Sequence, residues 1–321
     1  MSKSLAVLTS GGDAPGMNAA VRAVIRAGIY HGFKVYGVYK GYNGLLNGDV
    51  KEMNLRSVSD ILSRGGTILY TARSRKFMQP EYQQKAADFC RSLNIEGLVV
   101  IGGDGSFRGA RALSNLGIPC VALPGTIDND IACSDYTIGF DTAMNTAVEM
   151  IDKIRDTAQS HDRCSVVEVM GRHCGDIALQ TGIAVGATAI IVPEVPHDIE
   201  RDVITRIYEQ KDTGKKHFIV IVAEGVGGVQ DISKYIQNRT GIETRATILG
   251  HVQRGGSPTL RDRLMATDMG VAAVELLKEG IGNRVIASHG GKIVDYDITE
   301  ALDMPREFDN HLYEVAMKVS I

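Results

Sequence analysis

Residues 4–30, SLAVLTSGGDAPGMNAAVRAVIRAGIY, pass from an apolar β-branched run through a glycine-rich turn into a helix, and this succession decides the fold. Residues 4–9 are apolar on both faces, as a strand of a parallel sheet must be when helices cover each side. Met17, Ala20, Val21, Val24, Ile25 and Gly28 then recur at helical spacing, with Arg22 and Arg26 on the opposite face. Further strands are predicted at 34–39, 97–101, 118–123, 165–170, 188–192 and 217–223. A second long helix is predicted at about 141–158, with Met144, Ala147, Val148, Ile151, Ile154 and Ala158 along one side. Strand–helix alternation of this kind implies a doubly wound, mostly parallel α/β architecture. The 321 residues suffice for two such lobes at about 150 residues per domain. A second glycine-rich series follows the long helix, which puts the start of a second lobe near residue 139.

Composition narrows the class. Thirty-five basic against 38 acidic side chains leave a net charge of −3, so no global basic field exists to grip nucleic acid or an anionic membrane. The longest apolar runs, such as 218–223, fall far short of the ~18 residues of a membrane span. The N-terminal apolar run meets Gly11, Gly12 and Asp13 before a signal-peptide core can form. A soluble, cytoplasmic protein is expected, with neither nucleic acid nor membrane as partner. The five cysteines, Cys90, Cys120, Cys133, Cys164 and Cys174, include no Cys-x-x-Cys pair, which argues against a disulfide framework or zinc site. Cys164 and Cys174 flank a charged segment and read either as reactive thiols or as small buried apolar residues. Glycine is the outlier: 36 residues, clustered at the ends of apolar runs where backbone must come close to something.

In open α/β sheets ligands gather at the carboxyl ends of the strands, where loops enter helix N-termini. Four loops there carry unusual chemistry. Residues 10–18, SGGDAPGMN, free backbone amides in front of a helix and make a phosphate cradle, or simply a tight turn. Met17 and Asn18 stand where a Walker loop needs Lys-Ser/Thr, and the glycine spacing is not that of a dinucleotide fold. Residues 102–106, GGDGS, set Asp104 at a strand end. A carboxylate there tolerates a phosphate only across a cation, which suggests Mg²⁺; a helix N-cap is the alternative. Residues 124–130, PGTIDND, offer Asp128 and Asp130 on one edge. One can take a proton from an attacking hydroxyl while the other supports a metal, or both belong to an Asx turn. Residues 251–258, HVQRGGSP, add His251 and Arg254 as an anion-binding group, with Arg163, Arg172 and Arg245 near other strand ends. Together these features point to phosphoryl transfer.

Five segments carry a family resemblance: 8–18 (LTSGGDAPGMN), 101–106 (IGGDGS), 124–130 (PGTIDND), 169–172 (VMGR) and 250–258 (GHVQRGGSP). In this order, along essentially the whole chain, they resemble the bacterial ATP-dependent 6-phosphofructokinases. The resemblance implies that the γ-phosphoryl group of ATP passes to the 1-hydroxyl of fructose 6-phosphate, giving fructose 1,6-bisphosphate. It implies two lobes: 1–138 with about 253–305 as the larger, ATP-binding one, and about 139–252 with 306–321 as the smaller, sugar-phosphate and effector one. Asp128 is then the base, and Asp104 holds Mg²⁺ with Asp130 in support. ATP is received by Gly12, Arg73, Ser74, Gly103, Asp104, Gly105 and Ser106. Arg73 and Arg172 stabilise the transferring group, with Thr126 alongside. The sugar phosphate meets Thr126, Ile127, Asp128, Met170, Gly171, Arg172, Glu224, His251, Val252, Gln253 and Arg254. Arg163 and Arg245 reach in from a neighbouring subunit, which implies a homotetramer with shared active sites.

The resemblance also implies an effector site for ADP or phosphoenolpyruvate, built from Arg22, Arg26, Arg155, Lys215, Lys216 and His217. Leu55, Thr188 and Thr213 depart from the family pattern there, Thr188 replacing a glutamate associated with the effector's metal, so weak or altered effector control is expected. Residues 74–77, SRKF, depart as well, with Arg75 and Lys76 adding two charges beside the ATP site. Pyrophosphate-dependent relatives carry Asp at the position of Gly105 and Lys at that of Gly125. Side chains there would fill space needed by a nucleotide, so ATP is favoured as donor. Other kinases with a Gly-Gly-Asp-Gly loop, such as NAD kinase, lack the 126–130 and 251–256 motifs. A non-catalytic sugar-phosphate binding protein leaves the two acidic loops unexplained.

Overall fold

The computed structural model describes residues 3–320. Its strands are β1 (Ser4–Ser10), β2 (Lys34–Val38), β3 (Val50–Met53), β4 (Ile95–Gly102), β5 (Cys120–Pro124) and β6 (Cys164–Val169). They continue with β7 (Ala189–Ile191), β8 (Phe218–Ala223), β9 (Thr244–Ile248), β10 (Arg284–His289) and β11 (Lys292–Asp297). Helices that bear on the argument are α1 (Met17–Tyr30), α2 (Tyr42–Asn47), α3 (Pro80–Ser92), α4 (Asp104–Asn115), α5 (Phe140–Ser160), α6 (Asp176–Ala184), α7 (Thr205–Asp212), α8 (Val229–Thr240) and α9 (Leu260–Lys278). The fold is α/β, with helices on mostly parallel sheets.

The chain divides into two compact units. The first comprises the residues up to Thr142 together with Arg254–Arg306, and the second Ala143–Gln253 with the residues from Glu307. The first unit holds a seven-stranded sheet in the order β11-β10-β5-β4-β1-β2-β3. Its centre, β5-β4-β1-β2, is wholly parallel. The second holds a four-stranded parallel sheet in the order β7-β8-β6-β9.

All seven strands predicted from apolar runs form. Four were not legible: β3, β9, β10 and β11. Three of them are the outer strands of their sheets, and β10 pairs with edge strand β11 as an antiparallel hairpin turning at Gly290 and Gly291. An edge strand has one face or one side in water, so it needs no continuous apolar run. Strand β9, TRATI, is the clear case, with only Thr244 buried. The five cysteines are all buried. Burial pushes the Cys164 thiol up to about 12, so Cys164 and Cys174 are small core residues and the reactive-thiol reading falls.

Helix α1 buries Met17, Ala20, Val21, Val24, Ile25 and Gly28 as its pattern requires. It lies against α9, where Gly270 brings the two backbones together: a Cβ there would stand 3.0 Å from the Ala20 carbonyl oxygen. Within the first unit, Asp262 of α9 pins the start of α5. Its carboxylate is fully buried and accepts from the Gly139 N–H at 2.9 Å, the Thr142 N–H at 2.9 Å and the Thr142 hydroxyl at 2.5 Å. These are amides that a helix start cannot satisfy by itself. Asp262→Ala leaves three buried donors unanswered and is expected to cost about 2–4 kcal/mol, read by urea unfolding; a loss inside experimental error would contradict this role. Burial holds the Asp262 carboxyl above the usual carboxylate range. The native chain therefore keeps that proton to higher pH than the unfolded one, and the stability this contributes below the ordinary carboxylate pKa declines as pH rises through the raised value. Asp262→Asn is expected to flatten that part of the pH–stability curve.

Candidate active site

Strands β1, β4 and β5 lie side by side and parallel, so their carboxyl ends deliver three of the four unusual loops to one edge of the first unit. Gly11 (φ +89°) and Gly16 (φ +107°) adopt backbone that side-chain-bearing residues avoid, which folds the first loop back onto the start of α1. The Ser106 hydroxyl donates to the Ser10 carbonyl at 3.2 Å and ties the 102–106 loop to it. The Thr71 hydroxyl donates to the Gly11 carbonyl at 2.7 Å, which sets Arg73 and Ser74 just beyond the same loop. The buried Asn18 side chain fixes the approach to them, donating to the Arg64 carbonyl at 3.0 Å and accepting from the Ile68 N–H at 2.8 Å. Asn18 had no assigned role in the sequence; its signal is a polar residue at the second position of an otherwise apolar helix face.

Asp104 is the first residue of α4, and Arg108 approaches its two oxygens at 3.2 and 3.3 Å. Its side chain is 37% exposed. No group of three or more His, Cys, Asp or Glu among the described residues could hold a metal. Mg²⁺ held between a protein and a phosphate chain needs only one or two carboxylates, phosphate oxygens and water completing the shell. An accessible carboxylate in front of a glycine loop supplies such a partial donor set.

Asp128 lies in the 124–130 loop and is 7% exposed. Its N–H donates to the Thr126 hydroxyl at 3.2 Å, and Asn129 takes the left-handed conformation (φ +52°). Thr137 braces the loop from behind, its hydroxyl donating to the Thr126 carbonyl at 2.7 Å. Arg254 links this loop to the first one. One guanidinium nitrogen donates to the Asp13 carbonyl at 3.1 Å, and another lies 3.9 Å from the Asp128 carboxylate. A Cβ on Gly12 would sit 2.6 Å from Arg254 Nη1, so glycine at 12 is what lets the guanidinium in. Gly12, Gly103 to Ser106, Thr126, Asp128 and Arg254 therefore belong to one edge.

One expectation is corrected here. The Ile127 side chain is fully buried in the core, so only its backbone is available to a ligand. A Cβ at Gly105 would enter open space, as the donor argument requires. At Gly125 it would instead meet Ile101 at 2.9 Å and Met17 at 3.1 Å, so core packing by itself already favours glycine there.

In the second unit, β6, β8 and β9 run parallel and bring Met170, Gly171, Arg172 and Glu224 to one edge. Gly171 (φ +138°) and Arg172 (φ +59°) make a tight turn after β6. Only glycine fits at 171, since a Cβ would overlap the Cys174 carbonyl oxygen. The Arg172 N–H donates to Glu224 Oε1 at 2.5 Å. Glu168 was missed; burial, and then the Glu224 charge, raise its carboxyl pKa. His251 and Val252 are exposed after β9. Gln253 is fully buried, and its Oε1 accepts from the Met170 N–H at 3.1 Å, so it positions the strand end and does not face a ligand.

Arg163 and Arg245 are not at this edge. Arg163 precedes β6 and Arg245 is the second residue of β9, next to Ser165 in register, so both lie at the amino ends of the strands. The length of β6 sets Arg163 about 20 Å from Met170. Glu243 pairs with both, at 2.8 Å to Arg163 and 2.6 Å to Arg245. The reading of these two as part of the ligand-facing arginine set within one chain is overturned.

The residues expected to bind an effector fall into two sets. Arg22 and Arg26 share a face of α1, and the Arg22 pKa is lowered by burial and then by Arg26. In the second unit, Arg155 donates to the Val185 carbonyl. Lys215 donates to Gln210 Oε1 at 2.7 Å and Thr188 Oγ1 at 3.3 Å, and Lys216 is exposed. Burial, then Lys215 and Arg155, lower the His217 pKa. Thr188 is fully buried and donates to Gln210 at 2.9 Å, so it contributes no carboxylate to this cluster.

The phosphofructokinase family model matches residues 4–277. An ATP-dependent 6-phosphofructokinase of Alkaliphilus metalliredigens is 57% identical over 99% of this chain and 100% of its own. One from Clostridium botulinum is 57% identical over 99% of both chains. Among solved structures, phosphofructokinase from Saccharomyces cerevisiae matches with a TM-score of 0.87 at 39% identity over 99% of this chain. Pichia pastoris phosphofructokinase in the T-state matches with 0.90 at 38% over 99%. This chain spans 46% and 36% of those two longer fungal chains. A pyrophosphate-dependent phosphofructokinase from Marinobacter aquaeolei, 22% identical with a TM-score of 0.86 over 96% of this chain and 86% of its own, shares the fold. On this evidence the chain is a member of the phosphofructokinase family.

Proposed function

We propose that this chain is an ATP-dependent 6-phosphofructokinase that converts fructose 6-phosphate to fructose 1,6-bisphosphate in glycolysis. The observation that carries the reading is the delivery of a glycine cradle, an accessible Asp104 and a buried Asp128 to one edge by adjacent strands.

The 1-hydroxyl oxygen of the sugar attacks the γ-phosphorus, the bond to the β-phosphate oxygen breaks, and the hydroxyl proton passes to the Asp128 carboxylate. Gly12, Gly103, Gly105 and Ser106 receive the nucleotide phosphates, with Arg73 and Ser74 beside them. Arg73, Arg172 and Thr126 oppose the charge that develops on the transferring group. Asp104, with Asp130 in support, would hold Mg²⁺, which when bound neutralises phosphate charge. Met170, Gly171, Arg172, Glu224, His251 and Val252 are assigned to the sugar phosphate, Glu224 to its hydroxyls. Arg254 serves the sugar phosphate and, being 3.9 Å from it, the Asp128 carboxylate.

Arg163 and Arg245, at the far edge of their sheet, are assigned to a neighbouring subunit's substrate, which makes the working form a homotetramer with shared active sites. The enzyme is placed in the cytoplasm; no helix among the described residues is long and apolar enough to cross a membrane. Arg22 and Arg26 on one unit, and Arg155, Lys215, Lys216 and His217 on the other, are assigned to an ADP or phosphoenolpyruvate effector. With Thr188 buried against Gln210, that control is expected to be weak or altered.

The deciding experiment compares Mg-ATP with Mg-pyrophosphate as donor to fructose 6-phosphate. Turnover with ATP alone is expected; turnover only with pyrophosphate would contradict the reading. Asp128→Asn is expected to lower kcat by about 10²–10⁴, roughly 3–5 kcal/mol of barrier, with sugar-phosphate affinity nearly intact. Normal turnover with failed binding would reassign Asp128. Titrating ADP and phosphoenolpyruvate against the fructose 6-phosphate saturation curve tests the effector assignment: a small response is expected, and strong sigmoidal inhibition relieved by ADP would refute it.

A further inference from the structure

The turn that carries Arg172 is held at both ends by carboxylates. At its start the Arg172 N–H donates to Glu224 Oε1 at 2.5 Å. Three residues later the Gly175 N–H donates to Glu194 Oε1 at 2.8 Å. Between them the Cys174 N–H donates to the Gly171 carbonyl at 2.8 Å and closes the turn. Glu194 follows β7 and stands in none of the motifs that the sequence singles out.

The two carboxylates do different work. Glu224 is assigned to the sugar's hydroxyls. Glu194 turns inward: its second oxygen, Oε2, is shut off from solvent and would lie 2.6 Å from a Cβ on Gly175. This sets the carboxylate against the start of α6, where Gly175 has no side chain with which to cap the helix. Unanswered amides at a helix N-terminus favour an anion there.

Arg172 needs such a hold. Its backbone is left-handed (φ +59°), a form that a residue with a side chain keeps only when its surroundings impose it. Gly225, just beyond β8, closes on the turn from another side. A Cβ there would stand 2.5 Å from the Arg172 carbonyl oxygen and 3.2 Å from Pro193, the residue before Glu194. The Arg172 side chain is exposed, so the backbone of the turn sets where its guanidinium starts from.

We propose that Glu194 is a positioning residue for phosphoryl transfer. By anchoring Gly175 it holds residues 171–175 in the backbone form that presents Arg172 to the transferring group, a role that rests on the assignment of Arg172 to that group. A displacement of about 1 Å at a reacting centre costs on the order of a hundredfold in rate. A side chain that acts only on the backbone of the turn can therefore control kcat.

The test is a cycle of Glu194→Met and Arg172→Ala, read as kcat with Mg-ATP and fructose 6-phosphate. Methionine keeps the length of the side chain and removes the acceptor. Glu194→Met is expected to lower kcat about tenfold to a hundredfold with KM for ATP unchanged. Once Arg172 is alanine, the same change is expected to cost less than about twofold more. Glu194→Gln keeps an acceptor for the Gly175 N–H and is expected to stay within about threefold of the parent. An equal loss in both Arg172 backgrounds would overturn the proposal, because a residue that only supports the fold costs the same with or without Arg172. So would a glutamine variant as slow as the methionine one. If Glu194→Met does not fold, Glu194→Asp, whose carboxylate falls one methylene short of the amide, enters the same cycle with the same expectations. A parent that does not turn over these substrates would remove the phosphofructokinase reaction and this role together; equal losses in an active parent would remove the role alone.

Discussion

In the proposed reaction a carboxylate must stay ionised, ready to accept a proton, beside an incoming phosphate chain whose field works against that charge. Two unit charges 4 Å apart repel by about 4 kcal/mol near a protein surface. The first unit meets that constraint with one guanidinium, Arg254, set between the backbone of the first glycine loop and the Asp128 carboxylate. Much of the local architecture serves this arrangement. Gly12 leaves the space, Thr137 braces the loop that presents Asp128, and the Ser106 hydroxyl holds the second glycine loop against the first.

The fold supplies the edge on which this happens. Three parallel strands buried on both faces cannot shift relative to one another without exposing apolar surface, so the loops at their carboxyl ends inherit fixed positions. Asp262 adds a second anchor by closing off the free amides at the start of α5. The apolar sheet is thus the reason a polar site can be held rigid, and rigidity is what lets fixed dipoles and charges act without reorganising.

What the sequence made legible follows from how strongly each feature is constrained. Buried parallel strands need apolar side chains on both faces, and so β1, β2, β4, β5, β6, β7 and β8 were visible, while the edge strands β3, β9 and β11 and the hairpin partner β10 were not. Glycine loops were legible because backbone there must do what side chains forbid. Orientation was harder. Nothing in the residues near 163 and 245 says which end of a strand they occupy, and the register puts them at the amino ends. Ile127 and Gln253 sit inside motifs whose other members face the edge, yet their own side chains are fully buried, Ile127 in a loop and Gln253 in a short 3-10 helix. Gly125 is constrained by packing against Ile101 and Met17 as well, which the motif alone does not reveal. Asn18, Thr137 and Asp262 act through backbone partners distant in sequence, which no local pattern reports.

The coupling between Arg254 and Asp128 in the phosphoryl-transfer step tests the central claim most directly. It is read from a double-mutant cycle of Arg254→Ala and Asp128→Asn in single-turnover experiments at saturating substrates. If the guanidinium acts on the base, the two losses combine to less than their sum, with an interaction of about 1–3 kcal/mol. Strict additivity would mean that Arg254 touches only the sugar phosphate and that the charge balance at this edge is set by something else.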